Sequence, residues 1–197
     1  SPDQYRIFNL LYRVEDNDPA RGLFLIGDPK QSIYGFRGAD IHSYLSARSA
    51  TEGRHYQLGT NYRSTAALVE AVNRLFLHAE GHGGHPGHAA GAFRFRRGQV
   101  NPLPFEAVRA AGRGAHLVGV DGPYQALAMC TSAQEDMKAD EYRAFFAGHC
   151  AEHIVSLLND PQVGFAEPDP EDLGGRFVRL QPADIAVLVR DRKEATA

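Results

Sequence analysis

Twice in its first third the chain runs an apolar or aromatic stretch into a polar, glycine-bearing loop and then into helical spacing. This order restricts the fold more than any other feature. The first instance is Leu23-Phe24-Leu25-Ile26, then "GDPKQSIYGFRGAD" over 27–40, then Ile41, Tyr44, Leu45 and Arg48 on one helical face behind Asp40, an N-cap residue type. The second is "YQLGTNYRS", then a helix that Ser64 is placed to cap and whose expected buried stripe is Leu68, Val72, Leu75 and Phe76. Strand, loop and helix in repetition predict an α/β protein with a mostly parallel sheet, whose ligands collect at strand ends.

The remaining segments fit around this frame. Ile7, Leu10, Leu11 and Val14 fall on one stripe of an opening amphipathic helix, and "VEDNDPARG" reads as a loop before the strand at 23–26. Residues 78–91, "HAEGHGGHPGHAAG", are low in complexity and are expected to form a mobile loop. "FRFRR" alternates with period two, "NPLPFEAVRAAGRG" is broken by proline and glycine, and "AHLVGV" reads as a strand. Asp140 to Asp160 has helical spacing, with Tyr142, Phe146, His149 and His153 on one stripe. "DPQVGFAEPDPEDLGG" then reads as an acidic surface loop and "PADIAVLVR" as a buried parallel strand. "SPDQ" enters a helix at once and "LVRDRKEATA" stops just past a strand-like run, so both ends are expected to be cuts through a larger protein.

Composition removes several classes of function. A hydrophobic fraction of 43% over 197 residues supports a packed core rather than disorder. The formal charge of -3 supplies no bulk basic field, so nucleic-acid binding would need a local patch or base stacking. Cys130 and Cys150 are too few for a disulfide framework, and no apolar run approaches the roughly 20 residues that span a bilayer. A cytoplasmic protein with no membrane partner is the expectation.

The chemistry concentrates in the two loops. Gln31 has a carboxamide able to donate to a phosphate oxygen and accept from an attacking water, which suits phosphoryl transfer. Tyr34 and Phe36, two apart, read either as core aromatics or as rings that stack on unpaired bases, and Arg37 as a phosphate contact or a loop support. His78, His82, His85 and His88 are read as part of a polar loop capable at most of opportunistic metal binding, and no metal site is assigned. His149 and Cys150 read as core or boundary residues of a packed helix ahead of a nucleophile pair.

The stretches "GDPKQSIYGFRGAD" and "LGTNYRS" together resemble motifs III and IV of superfamily 1 helicases of the UvrD/RecB type. The Pro29-Lys30 pair, Phe36 where a tryptophan is usual, and Ala39-Asp40-Ile41 resemble the RecB branch of that family. "SPDQYRIF", "PLPFEAVRAAGRG" and "PADIAVLVR" resemble further segments of the same branch, so the likeness covers nearly the whole chain. It implies parts of two RecA-like domains of the P-loop NTPase type. Residues 1–57 would be the C-terminal part of the first and 58–197 the N-terminal part of the second, with the flexible loop at 78–91.

The resemblance also implies roles. Gln31 would contact the γ-phosphate of ATP and couple hydrolysis to DNA movement, while Tyr34 and Phe36 face single-stranded DNA with Arg37 nearby. Tyr62 would stack on the adenine, and Arg63 would reach the γ-phosphate as an arginine finger. The implied parent is an ATP- and Mg2+-dependent helicase and exodeoxyribonuclease of the exodeoxyribonuclease V type. It would translocate on single-stranded DNA, then unwind and degrade duplex ends with RecC and RecD subunits in recombinational double-strand-break repair. No glycine in the chain precedes Lys-Ser or Lys-Thr and no acidic Mg2+ motif is found, so these residues alone are expected to be inactive. Two other readings are a UvrD-like repair helicase without a nuclease and a non-catalytic DNA- or protein-binding module that retains helicase motifs.

Overall fold

The computed structural model describes residues 2–29, 41–133, 136–167 and 175–196. Gln31, Tyr34, Phe36 and Arg37, together with the expected cap Asp40, lie outside them. The chain is mixed α/β and groups into two compact units, one of Ser1–Gly59 with Asn73–Ala107 and one of Thr60–Val72 with Val108–Ala197.

The first unit begins with helices α1 (Pro2–Tyr12) and α2 (Ile41–Ala50). Their C-terminal ends are tied by Arg54, whose guanidinium donates to the Val14 carbonyl at 2.9 Å, the Ala50 carbonyl at 2.7 Å and Asn17 Oδ1 at 2.5 Å. A guanidinium suits this place because helix ends leave carbonyls without intrahelical donors. Val14 is buried just past α1, where its amide donates to Asn9 Oδ1 at 3.0 Å. The rest of the predicted stripe is uncovered: Ile7, Leu10 and Leu11 are all exposed.

Residues 23–26 do not form the predicted strand. Phe24 and Ile26 are 91% and 98% exposed, and no described residue pairs with this run. An apolar sequence cannot make a strand by itself, because a strand is defined by hydrogen bonds to a neighbour. The predicted mobile loop also starts later than expected, since helix α3 (Ala66–Gly81) takes in residues 78–81. Past its end the chain folds back on Glu80, whose carboxylate accepts from the Ala92 amide at 2.8 Å, Asn101 Nδ2 at 2.6 Å and the Phe105 amide at 3.3 Å. Phe76, on α3, packs against Phe93 and Phe105 with ring centroids 5.7 and 5.1 Å away. Phe93 of the "FRFRR" run thus packs against α3, and the run's only pairings among described residues are single bridges at Ala90–Arg96 and Arg97–Val100.

Among the described residues the second unit holds two sheets. Strands β1 (Thr60–Asn61) and β2 (Arg109–Ala110) pair in parallel. Strands β3 (His116–Gly119), β4 (Gly122–Pro123), β5 (Gly164–Glu167) and β6 (Arg176–Arg179) form an antiparallel sheet in the order β4-β3-β5-β6. The mostly parallel sheet expected from sequence is thus reduced, among described residues, to the β1–β2 pair. Strand β5 occupies a stretch read as an acidic loop, because antiparallel partners on both sides supply its ladder where apolar patterning gave no signal. Conversely, residues 185–189 are not a strand, and Val187 and Leu188 are exposed. The core of this unit includes Val163, 1% exposed, and Leu180, 5% exposed, joined by the Leu180 amide donating to the Val163 carbonyl at 3.0 Å.

Helix α4 (Ala139–Asn159) appears where predicted and carries the aromatic run Tyr142, Phe145, Phe146 and His149, none of it buried. The short helix α5 (Arg192–Ala195) is capped by Asp191, whose carboxylate accepts from the amides of Lys193 and Glu194 at 2.8 and 3.0 Å. These backbone bonds, the one from Glu194 foremost, hold the Asp191 carboxyl below the ordinary range. A depressed carboxyl stabilises the folded form above its unfolded pKa and loses that contribution as pH falls through the folded value. An NMR titration of Asp191 is therefore expected to show a midpoint below that of a free aspartate, with loosening of residues 191–195 on acidification. An ordinary midpoint would contradict the cap.

Candidate nucleotide-facing junction

The site is built at the junction between β1 and α3, where residues 62–65 change the chain from extended to helical. Asn61, the last residue of β1, makes the turn. Its side-chain Oδ1 accepts from the amides of Arg63 at 2.8 Å and Ser64 at 2.9 Å, closing an Asx turn. The helix opens one residue later than predicted. Thr65, rather than Ser64, caps α3 by accepting the Leu68 amide on its hydroxyl at 3.3 Å. Val69 is the buried anchor of this first part of α3; the predicted stripe residue Val72 is exposed.

This geometry leaves two candidate side chains at the junction without burying either. Tyr62 is 77% exposed and Arg63 is exposed as well. A phenol ring offers a flat face to a base, and a guanidinium fork matches the oxygens of a phosphate. The parallel neighbour fixes the junction from the side: Asn61 accepts on its backbone oxygen from the Ala111 amide at 2.8 Å, which continues the β1–β2 ladder. Just beyond, Gly112 adopts a φ of 87° and Arg113 Nη1 donates to the Arg63 carbonyl at 3.4 Å.

Of the sequence-predicted site residues, Tyr62 and Arg63 stand side by side here, while Gln31, Tyr34, Phe36 and Arg37 lie outside the described residues. Asn61 and Arg113 were not singled out for a role by the sequence. For Asn61 a signal existed, since asparagine ahead of a helix start favours an Asx turn. For Arg113 no local signal existed, because its contact crosses 50 residues.

Other features of the described residues carry less chemistry. A hollow of about 230 Å³ on the antiparallel sheet is lined by Ala115, Phe165, Glu167, Arg176 and Val178. Its charged residues, Glu167 and Arg176, are a cross-strand pair. No group of three or more His, Cys, Asp or Glu side chains among the described residues is arranged to hold a metal ion. No helix among them is long and apolar enough to cross a membrane.

Comparison with known proteins gives a consistent picture. Residues 1–52 match the UvrD/REP helicase N-terminal domain. The RecBCD enzyme subunit RecB of Escherichia coli strain K12 is 40% identical over 98% of this chain, and the match covers 15% of that protein. The same-named subunit of Mycobacterium tuberculosis strain H37Rv is 35% identical over 99% of the chain and 17% of its own length. That of Haemophilus influenzae is 32% identical over 98% of the chain, with 14% of its length covered. The chain spans about one-seventh of the length of the curated relatives it matches.

Proposed function

We propose that this chain is a RecB-like segment of a UvrD-type helicase and that it supplies the arginine finger and adenine platform of an ATP-driven DNA motor. The observation that carries this reading is the Tyr62-Arg63 pair, exposed at a strand-to-helix junction and held there by Asn61. The residues fit the substrate. The Tyr62 ring would stack on adenine, and the Arg63 guanidinium would meet the γ-phosphate. Phosphoryl transfer spreads negative charge over the equatorial oxygens in the transition state, and a prepositioned cation lowers that barrier.

The exposure of Arg63 suits a finger offered to a nucleotide bound largely by other residues. In this proposal the phosphate-cradling loop and the Mg2+ ligands come from elsewhere in a longer protein, and Mg2+ neutralises the β- and γ-oxygens. The segments 1–57 and 58–197 are assigned to the end of one RecA-like domain and the start of the next. Gln31 would sense the γ-phosphate, and Tyr34, Phe36 and Arg37 would meet single-stranded DNA, where stacking is worth about 1–3 kcal/mol per base. The resemblance to RecB supports partners of the RecC and RecD type, action on duplex ends in double-strand-break repair, an associated exonuclease and a cytoplasmic location.

The experiment is ATP hydrolysis by the full-length protein, purified with its partner subunits, in the presence of linear or closed circular duplex DNA. Turnover is expected to require free ends and to accompany strand separation. Hydrolysis indifferent to DNA, or none at all, would remove the motor reading.

A further inference from the structure

We infer that Arg113 is a positioning residue for Arg63, an inference that rests on the arginine-finger reading above. Parallel pairing has a topological consequence here. The loops leaving β1 and β2 emerge from the same end of the pair, so residues far apart in sequence meet at one edge. The first loop carries Arg63 and the second carries Arg113. The second is held close by the Ala111 amide on the Asn61 carbonyl at 2.8 Å and turned back by Gly112, whose φ of 87° a residue with a Cβ adopts only with strain.

Arg63 is then tethered on both sides of its Cα. Its amide donates to Asn61 Oδ1 at 2.8 Å, and its carbonyl accepts from Arg113 Nη1 at 3.4 Å. With both peptide groups held, the direction of its Cα–Cβ bond is set and only the side-chain torsions remain free. A finger built this way has less conformational freedom to lose when it meets a phosphate. Arg113 holds the backbone of Arg63, so in this proposal its contribution falls on turnover and not on nucleotide binding.

The test is a double-mutant cycle in the full-length protein with its partner subunits, read by DNA-stimulated, single-turnover ATP hydrolysis and by binding of a fluorescent ATP analogue. Arg113→Ala is expected to lower the hydrolysis rate about five- to tenfold, the size of one lost hydrogen bond of ordinary strength, with analogue affinity unchanged. Arg113→Lys, which keeps a donor of similar reach, should recover most of the rate. In an Arg63→Ala background, Arg113→Ala should cause no further loss. An ordinary rate in Arg113→Ala overturns the inference, as does weakened analogue binding that accounts for the whole effect. Losses that multiply in the double variant also overturn it, since they mean that Arg113 acts independently. If Arg63→Ala alone turns over normally, the arginine-finger reading fails first and separately.

Discussion

Arg63→Ala in the full-length protein is expected to lower DNA-stimulated ATP turnover by about a thousandfold, the lower range for removal of an arginine finger. Nucleotide binding should change far less, because the finger acts on charge that develops in the transition state rather than on charge already present in bound ATP. Arg63 is exposed at its junction, and its backbone is fixed by Asn61 Oδ1 at 2.8 Å. Among the described residues its side chain makes no hydrogen bond or ion pair, so the variant should melt like the parent protein. Arg63→Lys is expected to restore little, since a compact ammonium cannot present the planar fork that matches two phosphate oxygens. The measurement is steady-state hydrolysis with linear DNA alongside equilibrium binding of an ATP analogue. Turnover within a few-fold of normal in Arg63→Ala would end the arginine-finger assignment.

The largest expected effect on stability lies elsewhere in the same unit, at Gly164. This glycine opens β5, is buried, and pairs with Val118 on one side and Arg179 on the other. A Cβ placed there would overlap the Val178 carbonyl and come within 2.6 Å of the Phe177 ring. The ring has torsions with which to move; the carbonyl belongs to the sheet backbone and does not. Gly164→Ala is therefore expected to cost about 2–3 kcal/mol by overpacking, seen as a lower denaturation midpoint for this part of the protein. Adding Phe177→Ala should relieve the ring overlap and recover only part of the loss. An unchanged midpoint in Gly164→Ala would mean that β5 and β6 do not approach as described.

Residues 23–26, 160–167 and 185–189 show how far local pattern carries and where it stops. Helices α1, α3 and α4 were legible because a helix satisfies its own backbone hydrogen bonds, so 3.6-residue spacing and end signals are sufficient information. Strands are satisfied by neighbours. Leu23–Ile26 and Ile185–Val189 have the apolar composition of buried strands yet pair with no described residue, whereas Gly164–Glu167, read as loop, is paired on both edges.

The candidate site divides along the same line. The resemblance of "LGTNYRS" to a helicase motif marked Tyr62 and Arg63 and implied what each would touch. Sequence also gave a helix after the motif, though with its cap one residue early. Only the tertiary structure decided that Asn61 folds the turn, that Thr65 starts the helix, and that Arg113 reaches the Arg63 carbonyl. These are consequences of which side-chain oxygens reach which amides, and of a parallel strand that returns about 50 residues later beside the first. No local pattern encodes a contact whose two halves are chosen by the fold.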